Sequence, residues 1–123
     1  MDSAQALHNF WSSFSWKAYD ATTVPAEDFE PSIQRVTYEV ATGEIDYPIL
    51  LTASLWDKSF SWATISQKAK EIFNRIGKGG VLLPYDGGAI WITRGSPFSQ
   101  RLADEDDTIR RILINVNAEF LSA

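Results

Sequence analysis

The chain has 123 residues, 45% of them hydrophobic, which suits a single domain over residues 1–123 that buries its core without covalent staples. It contains no cysteine, which excludes disulfides, thiolate nucleophiles and sulfur-ligated metals. The formal net charge of −5 argues against a broad nucleic-acid-binding surface.

No targeting or membrane segment is recognisable in the sequence. Apolar runs such as Ile49 to Leu51 are far too short to span a bilayer. The first residues lack the basic and apolar regions of a signal peptide. We therefore expect a protein of the cytoplasm in which it is made, without membrane contact.

The N-terminal region predicts an amphipathic helix near residues 3–15. Asp2 or Ser3 can cap its start. Residues at helical spacing form one apolar face: Leu7, Phe10, Trp11 and Phe14. Residues 17–31 contain two prolines and no clear period, and they predict an ordered loop.

Alternating patterns predict two strands after this loop, at residues 35–40 and 49–56. The connection at 41–48 contains Gly43, which is able to adopt positive φ. Both faces of the second strand are partly apolar, which is typical of a strand covered on both sides.

The most regular helical pattern runs over residues 62–76. Ser61 is a plausible N-cap, and Gly77 stands where a left-handed residue ends a helix. The predicted buried stripe contains Ile65, Ala69, Ile72, Phe73 and Ile76.

The remaining third predicts a hairpin and one long strand. Residues 81–83 and 89–94 flank a turn at 84–88, and residues 109–120 alternate throughout. Residues 95–103, with Pro97, predict a loop. The predicted fold class is α+β, with a mostly antiparallel sheet of four or five strands, a central helix packed on one face and a short N-terminal helix.

Catalytic and metal-binding candidates are few. His8 is the only histidine and lies beside the apolar face of the first helix, which favours an edge histidine over a triad member. The acidic run 104–107 matches no calcium loop and predicts a solvated turn. The glycines of 77–80 follow a helix instead of preceding one, so they indicate a helix stop. We expect no enzymatic activity, no cofactor and no metal.

Tryptophan is abundant, and its side chains can stack on bases or sugars. Basic residues do not interleave in the sequence with most of Trp16, Trp56, Trp62 and Trp91. Packing in the core or at an interface is therefore the favoured interpretation.

A series of short segments resembles proteins of tailed phages. They are LLTASLWDKSFSW (50–62), ISQKAKEI (65–72), GG (79–80), GGAIWI (87–92), GSPFSQR (95–101) and DDTIRRI (106–112). Their order resembles small proteins encoded among the head–tail joining genes of phages and prophages of Gram-positive bacteria. The plan is similar to the tail terminator, or tail completion, family of long non-contractile-tailed phages. The resemblance covers most of the chain from about Tyr38 onward, and more weakly the N-terminal helix and the region of Pro25.

This resemblance implies a structural protein that forms a homo-oligomeric ring, usually a hexamer, whose subunits can stay monomeric in solution. The ring would cap the tail tube and offer a surface to the head. Its implied partners are other copies of the chain, the tail tube protein and a head-completion or connector protein. DNA would pass through it without sequence-specific binding, which suits an acidic protein. The implied location is the bacterial cytoplasm during assembly and then the head–tail junction of the virion.

Two alternatives stay open. One is another minor capsid or head-completion protein of the same particle. The other is a small-molecule-binding or enzymatic α+β domain with a pocket walled by Tyr38, Trp56 or Trp91. Polar groups converging in a pocket would favour it, whereas the sequence places almost all charges in turns or at outer positions.

The predicted loop and acidic turn, residues 95–107, form the candidate interface. Loops on a rigid scaffold often carry contacts, and aromatic and arginine side chains often anchor them. The candidate interface residues are Phe98, Gln100, Arg101, Asp104, Glu105, Asp106 and Asp107. The alternative is a solvated connection with Phe98 packed on its own sheet.

Overall fold

A computed structural model describes residues 1–24, 34–41 and 47–122. Within these ranges the chain forms helices and strands in the order α1 (Ser3–Ser12), β1 (Lys17–Asp20), β2 (Arg35–Tyr38), β3 (Ile49–Lys58), α2 (Ala63–Ile76), β4 (Val81–Tyr85), β5 (Gly88–Leu102) and β6 (Ile109–Ser122). The predicted α+β class and the mostly antiparallel pairing are confirmed.

The described strands form one six-stranded sheet in the order β1-β2-β3-β6-β5-β4. All neighbours pair antiparallel except β1 and β2, which are parallel. Helix α2 contacts β3, β5 and β6, while α1 contacts β1, β2 and β4. Because α1 contacts strands at both edges, the sheet curls towards the side that carries the helices.

The sheet has one strand more than the prediction of four or five. The extra strand, β1, lies at the start of the predicted loop 17–31, of which residues 25–31 fall outside the described part. β1 has four residues. The side chain of Ala18, within β1, and that of Trp16, just before it, are both buried. Four residues are too few to show a clear alternation of polar and apolar side chains. The strand is stabilised by pairing with β2, which is distant in the sequence. Gly43 and Pro25 also lie outside the described residues.

Helix α1 forms as predicted. The Asp2 carboxylate accepts a hydrogen bond from the Gln5 amide at 2.8 Å and caps the helix. The predicted apolar face, Leu7, Phe10, Trp11 and Phe14, is buried. The Phe10 ring contacts the rings of Trp11 and Phe14 edge-on, at 4.9 and 5.3 Å between centroids.

Helix α2 forms as predicted, apart from its N-cap and one residue of its stripe. The N-cap is Trp62 instead of Ser61, although the Ser61 hydroxyl accepts from the Ala63 amide at 3.0 Å just before the helix, and Gly77 ends the helix with φ of 72°. Ile72 is fully buried, but the Phe73 side chain is 36% exposed, so its assignment to the buried stripe is wrong. At 100° per residue, Phe73 lies about 70° from the centre of the stripe of Ile65, Ala69, Ile72 and Ile76.

The second correction concerns the predicted loop 95–103, most of which is strand. β5 runs without a break in the chain from Gly88 to Leu102, with a register shift between Arg94 and Ser99 and a cis peptide at Ser96–Pro97. A Cβ on Gly95 would lie 2.6 Å from the Asn115 carbonyl oxygen, so the close approach of β6 requires glycine there. Glycine and proline indicate a loop in sequence, whereas here they form a bulge.

The edge of the sheet at β4 is partly closed. Pro84 lies in this edge strand and has no amide hydrogen to donate. Beyond the turn, the Asp86 carboxylate pairs with the amino group of Met1, and the Asp86 amide donates to the Met1 carbonyl at 2.8 Å. The start of α1 is thereby attached to the β4–β5 hairpin.

Candidate assembly surfaces

The two faces of the sheet differ in what covers them. Both helices pack on one face, the helix side, where alternate strand residues are buried: Val36, Leu51, Ala53, Leu55, Ile90, Ile92, Ile112, Ile114 and Val116. The intervening residues point to the opposite face, here named the open face. Within the described ranges, neither helix lies on the open face.

Four exposed apolar side chains lie on the open face and are here named the open-face patch. Leu82 is cross-strand to Trp91, Leu121 lies on β6, and Leu50 lies further along the face, cross-strand to Asn117. Their exposed fractions are 56% for Leu82, 40% for Trp91, 38% for Leu121 and 57% for Leu50. The Trp91 indole N–H is held by the Gly79 carbonyl at 3.0 Å. Polar Glu119, cross-strand to Trp91, lies on the same face, so the patch combines apolar and polar groups as protein-binding surfaces do.

The other end of the open face is polar and built around Trp56. The guanidinium carbons of Arg35 and Arg111 lie 4.9 and 4.6 Å from the centre of its ring. The Trp56 N–H donates to the Thr37 hydroxyl at 3.1 Å, and Arg111 donates to the Ser54 hydroxyl at 3.1 and 3.0 Å. The expectation that both faces of β3 are covered therefore holds only in part, since Trp56 is half-buried and Leu50 is exposed.

Lys and Arg side chains stack on several tryptophan rings, although in the sequence most of these basic residues are not close to the tryptophans that they contact. Trp62 has Arg101 and Arg110 at 4.8 and 5.0 Å from its ring, and Trp16 has Lys68 at 5.5 Å. The stacking residues come from other elements, so sequence spacing could not reveal them. These contacts support packing against the protein for Trp16, Trp56 and Trp62, whereas Trp91 is 40% exposed on the open face.

On the helix side, a groove runs between α2 and β5. The Phe98 ring meets the Phe73 ring edge-on at 5.2 Å. The Arg94 guanidinium lies 3.4 Å from the Phe73 ring centre and donates to the Phe73 carbonyl at 3.0 and 2.8 Å. The groove has a volume of about 320 Å³ and is lined by Ser66, Ala69, Lys70, Phe73, Phe98 and Ser99. Phe98 is half-buried on its own chain, as the alternative interpretation held.

Gln100 and Arg101 lie on opposite faces of β5. The Gln100 side-chain oxygen, on the open face, accepts from the Asn115 amide at 3.3 Å, and Asn115 also donates to the Pro97 carbonyl at 2.9 Å. Arg101 lies on the helix side, exposed, over Trp62. Arg101 makes no ion pair with any described carboxylate.

The acidic run forms an exposed turn between β5 and β6. Asp106 accepts from the Thr108 hydroxyl and amide at 2.6 and 2.8 Å, and these bonds hold the pKa of its carboxyl below the usual range. The Asp104 carboxylate accepts from the Asp106 amide at 3.0 Å. None of the four carboxylates pairs with a described Lys or Arg, and the described residues include no cluster placed to hold a metal ion.

The candidate interface residues thus form three groups: Phe98 and Arg101 on the helix side, Gln100 on the open face, and the acidic turn at the end of the sheet. Sequence reasoning missed the open-face patch. A sequence indication existed, since Trp91 stands between Ile90 and Ile92 and so points away from the core. Leu82 and Trp91 share that face only through the pairing of β4 with β5.

The positions proposed as pocket walls do not meet. Tyr38 is buried on the helix side, where its hydroxyl lies 2.9 Å from His8 Nδ1. Burial, and secondarily the charge of Asp20, raises the pKa of Tyr38. Trp56 and Trp91 are on the open face, so of the three candidates only Tyr38 lies between helix and sheet, where the predicted pocket would be. A separate groove of about 290 Å³ between α1 and β4 has a mainly apolar lining that includes Phe10, Val81 and Leu83.

The described helices contain no segment long and apolar enough to cross a bilayer. No protein-family model matches the chain, and no curated protein matches it. The fold defines an α+β protein whose mostly antiparallel sheet is covered by helices on one face. It is similar to a chain of a solved structure described as "Virion of native gene transfer agent (GTA) particle". The TM-score is 0.57 at 17% sequence identity, over 98% of this chain and 91% of that chain, and the likeness shows a shared fold.

Proposed function

We propose that the protein is a structural component of the virion of a tailed phage or phage-like particle. The observation that carries the proposal is the fold shared with a virion chain over nearly the full length of both proteins. The resemblance of its sequence segments to phage head–tail joining proteins is an independent reason for the same class.

Within this class, we propose that the chain forms a ring that caps the tail tube at the head–tail joint. Its partners would then be other copies of itself, the tail tube protein and a head-completion or connector protein. The open-face patch supports assembly, because exposed apolar side chains on one sheet face are stabilised by covering them. Phe98, Gln100, Arg101 and residues 104–107 remain candidate contacts of this assembly.

The described residues are also consistent with a protein without enzymatic activity. The His8 ring is hydrogen-bonded to the Tyr38 hydroxyl. The nearby Ser12 hydroxyl donates to the His8 backbone carbonyl at 2.7 Å instead of to a ring nitrogen. The groove between α1 and β4 has few polar groups on its mainly apolar lining, Asn9, Ser13 and Arg75 among them. Such a protein would act by binding other proteins through its surface and not by catalysing a reaction.

Deletion of the gene from the phage or prophage that carries it tests this role. A tail terminator predicts particles with tails of irregular, excessive length and heads that fail to join them, visible by electron microscopy. Complementation with the wild-type gene must restore tail length and joining.

Tails of normal length beside heads that lose their DNA would instead indicate the head-completion alternative. Normal infectious particles that lack the protein by mass spectrometry would contradict a virion role altogether.

A further inference from the structure

We propose that the groove between α2 and β5 of one copy receives the acidic turn, residues 104–107, of the next copy in the ring. This inference rests on the proposed ring and specifies which surfaces of neighbouring subunits meet. It assigns the two halves of one contact to different parts of the same chain.

The groove offers an aromatic wall edged by cations. Phe73 is 36% exposed and Phe98 is half-buried, so their edge-on pair presents apolar surface to the solvent. Lys70 lines the groove and is exposed. The Arg94 guanidinium donates two hydrogen bonds to the Phe73 carbonyl and lies over the Phe73 ring. Arg101, two residues beyond the lining residue Ser99, is exposed as well.

The cations of this region have no acidic partner in the part of the chain that the structure describes. Lys70 and Arg101 make no ion pair there, and Arg94 bonds a carbonyl oxygen. In a chain of net charge −5, a concentration of unpaired cations beside an apolar groove favours an acidic partner.

The acidic turn supplies the complementary chemistry. Its four consecutive carboxylates are exposed, and Asp106 is fixed by Thr108, so the turn is held in a defined shape. Preorganisation of this kind reduces the entropy lost on binding. Ala103, beside it, is also exposed and small enough to enter the groove.

The two surfaces lie at different places along β5. The groove ends at Ser99, and the turn follows Leu102 at the end of the sheet, about 10 Å further along the extended strand. When the groove of each copy receives the turn of the next copy, the contact is heterologous, and it produces a ring when the rotation between copies closes. A symmetric dimer in which two copies exchange the same contact reciprocally would stop at two copies, so cross-linked species larger than a dimer distinguish the ring from it.

Charge reversal tests the contact. Variant A carries Lys70→Glu and Arg101→Glu, and variant B carries Asp104→Lys and Asp107→Lys, which leaves Asp106 and its bonds to Thr108 intact. We expect each variant alone to join copies at least about tenfold less well than the wild type. Variant A places carboxylates against the acidic turn, and variant B cancels the net charge of the turn and places two lysines against the cationic groove. Lys78→Glu is the control for a single reversal of variant A, since it makes the same change as Lys70→Glu at an exposed site outside the groove.

Restoration is the decisive result. A chain with all four reversals, or an equal mixture of A and B in a ring with an even number of subunits, pairs opposite charges again and is expected to assemble. Loss of assembly in A and B without restoration by either route would show that a different protein occupies the groove and would overturn the inference.

Cross-linking locates the contact directly, because the natural chain has no cysteine. The double variant Ser99→Cys, Glu105→Cys is expected to give a ladder of disulfide-linked copies in purified particles, whereas Ser99→Cys alone is expected to give none. A double variant that enters particles without a ladder overturns the inference and leaves the proposed virion role standing. Absence of the wild-type chain from particles contradicts the virion role itself.

Discussion

The two faces of the sheet are built from alternate residues of the same strands but differ in what covers them. Along β6, Ile112 and Ile114 are buried under the helices, whereas Leu113 and Asn117 of the same strand face the open side and are half-buried and exposed, respectively. The helix side is stabilised within the subunit by apolar packing. The open face instead combines a polar end, built from bonds between strands, with apolar side chains that the chain itself does not cover. Alternate residues of one sheet therefore either pack under the helices or remain on a face that neither helix covers.

The largest expected loss of stability is at a buried residue of α2, and the adjacent exposed residue provides the comparison. Ile72→Ala removes a fully buried side chain and is expected to lower the free energy of unfolding by about 2–5 kcal/mol. Phe73→Ala removes a ring that is 36% exposed and is expected to cost about 1 kcal/mol. Urea denaturation of both variants measures the difference. Equal losses would show that Phe73 contributes to the core.

The next effect concerns the bond network on the open face. Asn115 is 8% exposed and donates to the carbonyl of Pro97 at 2.9 Å, which fixes the bulge of β5 against β6. Asn115→Ala is expected to cost about 1–3 kcal/mol, because the Pro97 carbonyl loses its partner. Gln100→Ala, which removes only the 3.3 Å bond, serves as the control. If thermal unfolding of Asn115→Ala matches the wild type, the bulge does not depend on this bond.

A smaller loss of stability is expected when the hydrogen bond between α1 and β2 is removed. Tyr38→Phe removes the hydroxyl that lies 2.9 Å from His8 Nδ1 and is expected to cost about 0.5–1.5 kcal/mol. The raised pKa means that the folded state favours neutral Tyr38, so its contribution is complete below the tyrosine value of about 10 and falls as pH rises through the folded pKa. Stability measured between neutral and alkaline pH is expected to fall less steeply in the variant. An unchanged alkaline slope would exclude Tyr38 as its source.

The smallest effect on stability tests the open-face patch. Leu82→Lys changes a side chain that is 56% exposed, so the free energy of unfolding is expected to stay within about 0.5 kcal/mol of the wild type. Assembly into particles, measured by complementation, is nevertheless expected to fall, because a charge would be buried against the neighbour. Leu83→Ala, on the opposite side of β4, is the contrasting variant that should lower stability. Normal complementation by Leu82→Lys would show that the patch is not covered in the particle.

The sequence predicted the long, periodic elements well. α1, α2 and the alternating strands β3 and β6 carry enough residues at fixed spacing to define their buried faces. β1 was missed, because its four residues depend on pairing with β2. The strand character of residues 95–102 was also missed, because Gly95 and Pro97 indicate a loop, and their place in a bulge follows from the approach of β6.

Interface chemistry was less accessible to the sequence than fold class was. Phe98 and Arg101 are three positions apart in the chain but contact different aromatic residues, Phe73 and Trp62. The open-face patch joins side chains from four strands, and only the strand order brings them together. Surface patches that come from distant segments have no local pattern to find.

Pro84 in the edge strand has a consequence for how copies of the chain can add to one another. An open edge strand invites a second chain to continue the sheet, and such addition has no natural end point. Pro84 offers no amide hydrogen to an incoming strand, and α1 lies against the same strand. Growth by backbone pairing is therefore disfavoured at β4, and another chain that meets this edge would do so through side-chain surfaces. Such surfaces can be limited to a fixed number of copies, whereas a continuing sheet grows for as long as subunits are supplied.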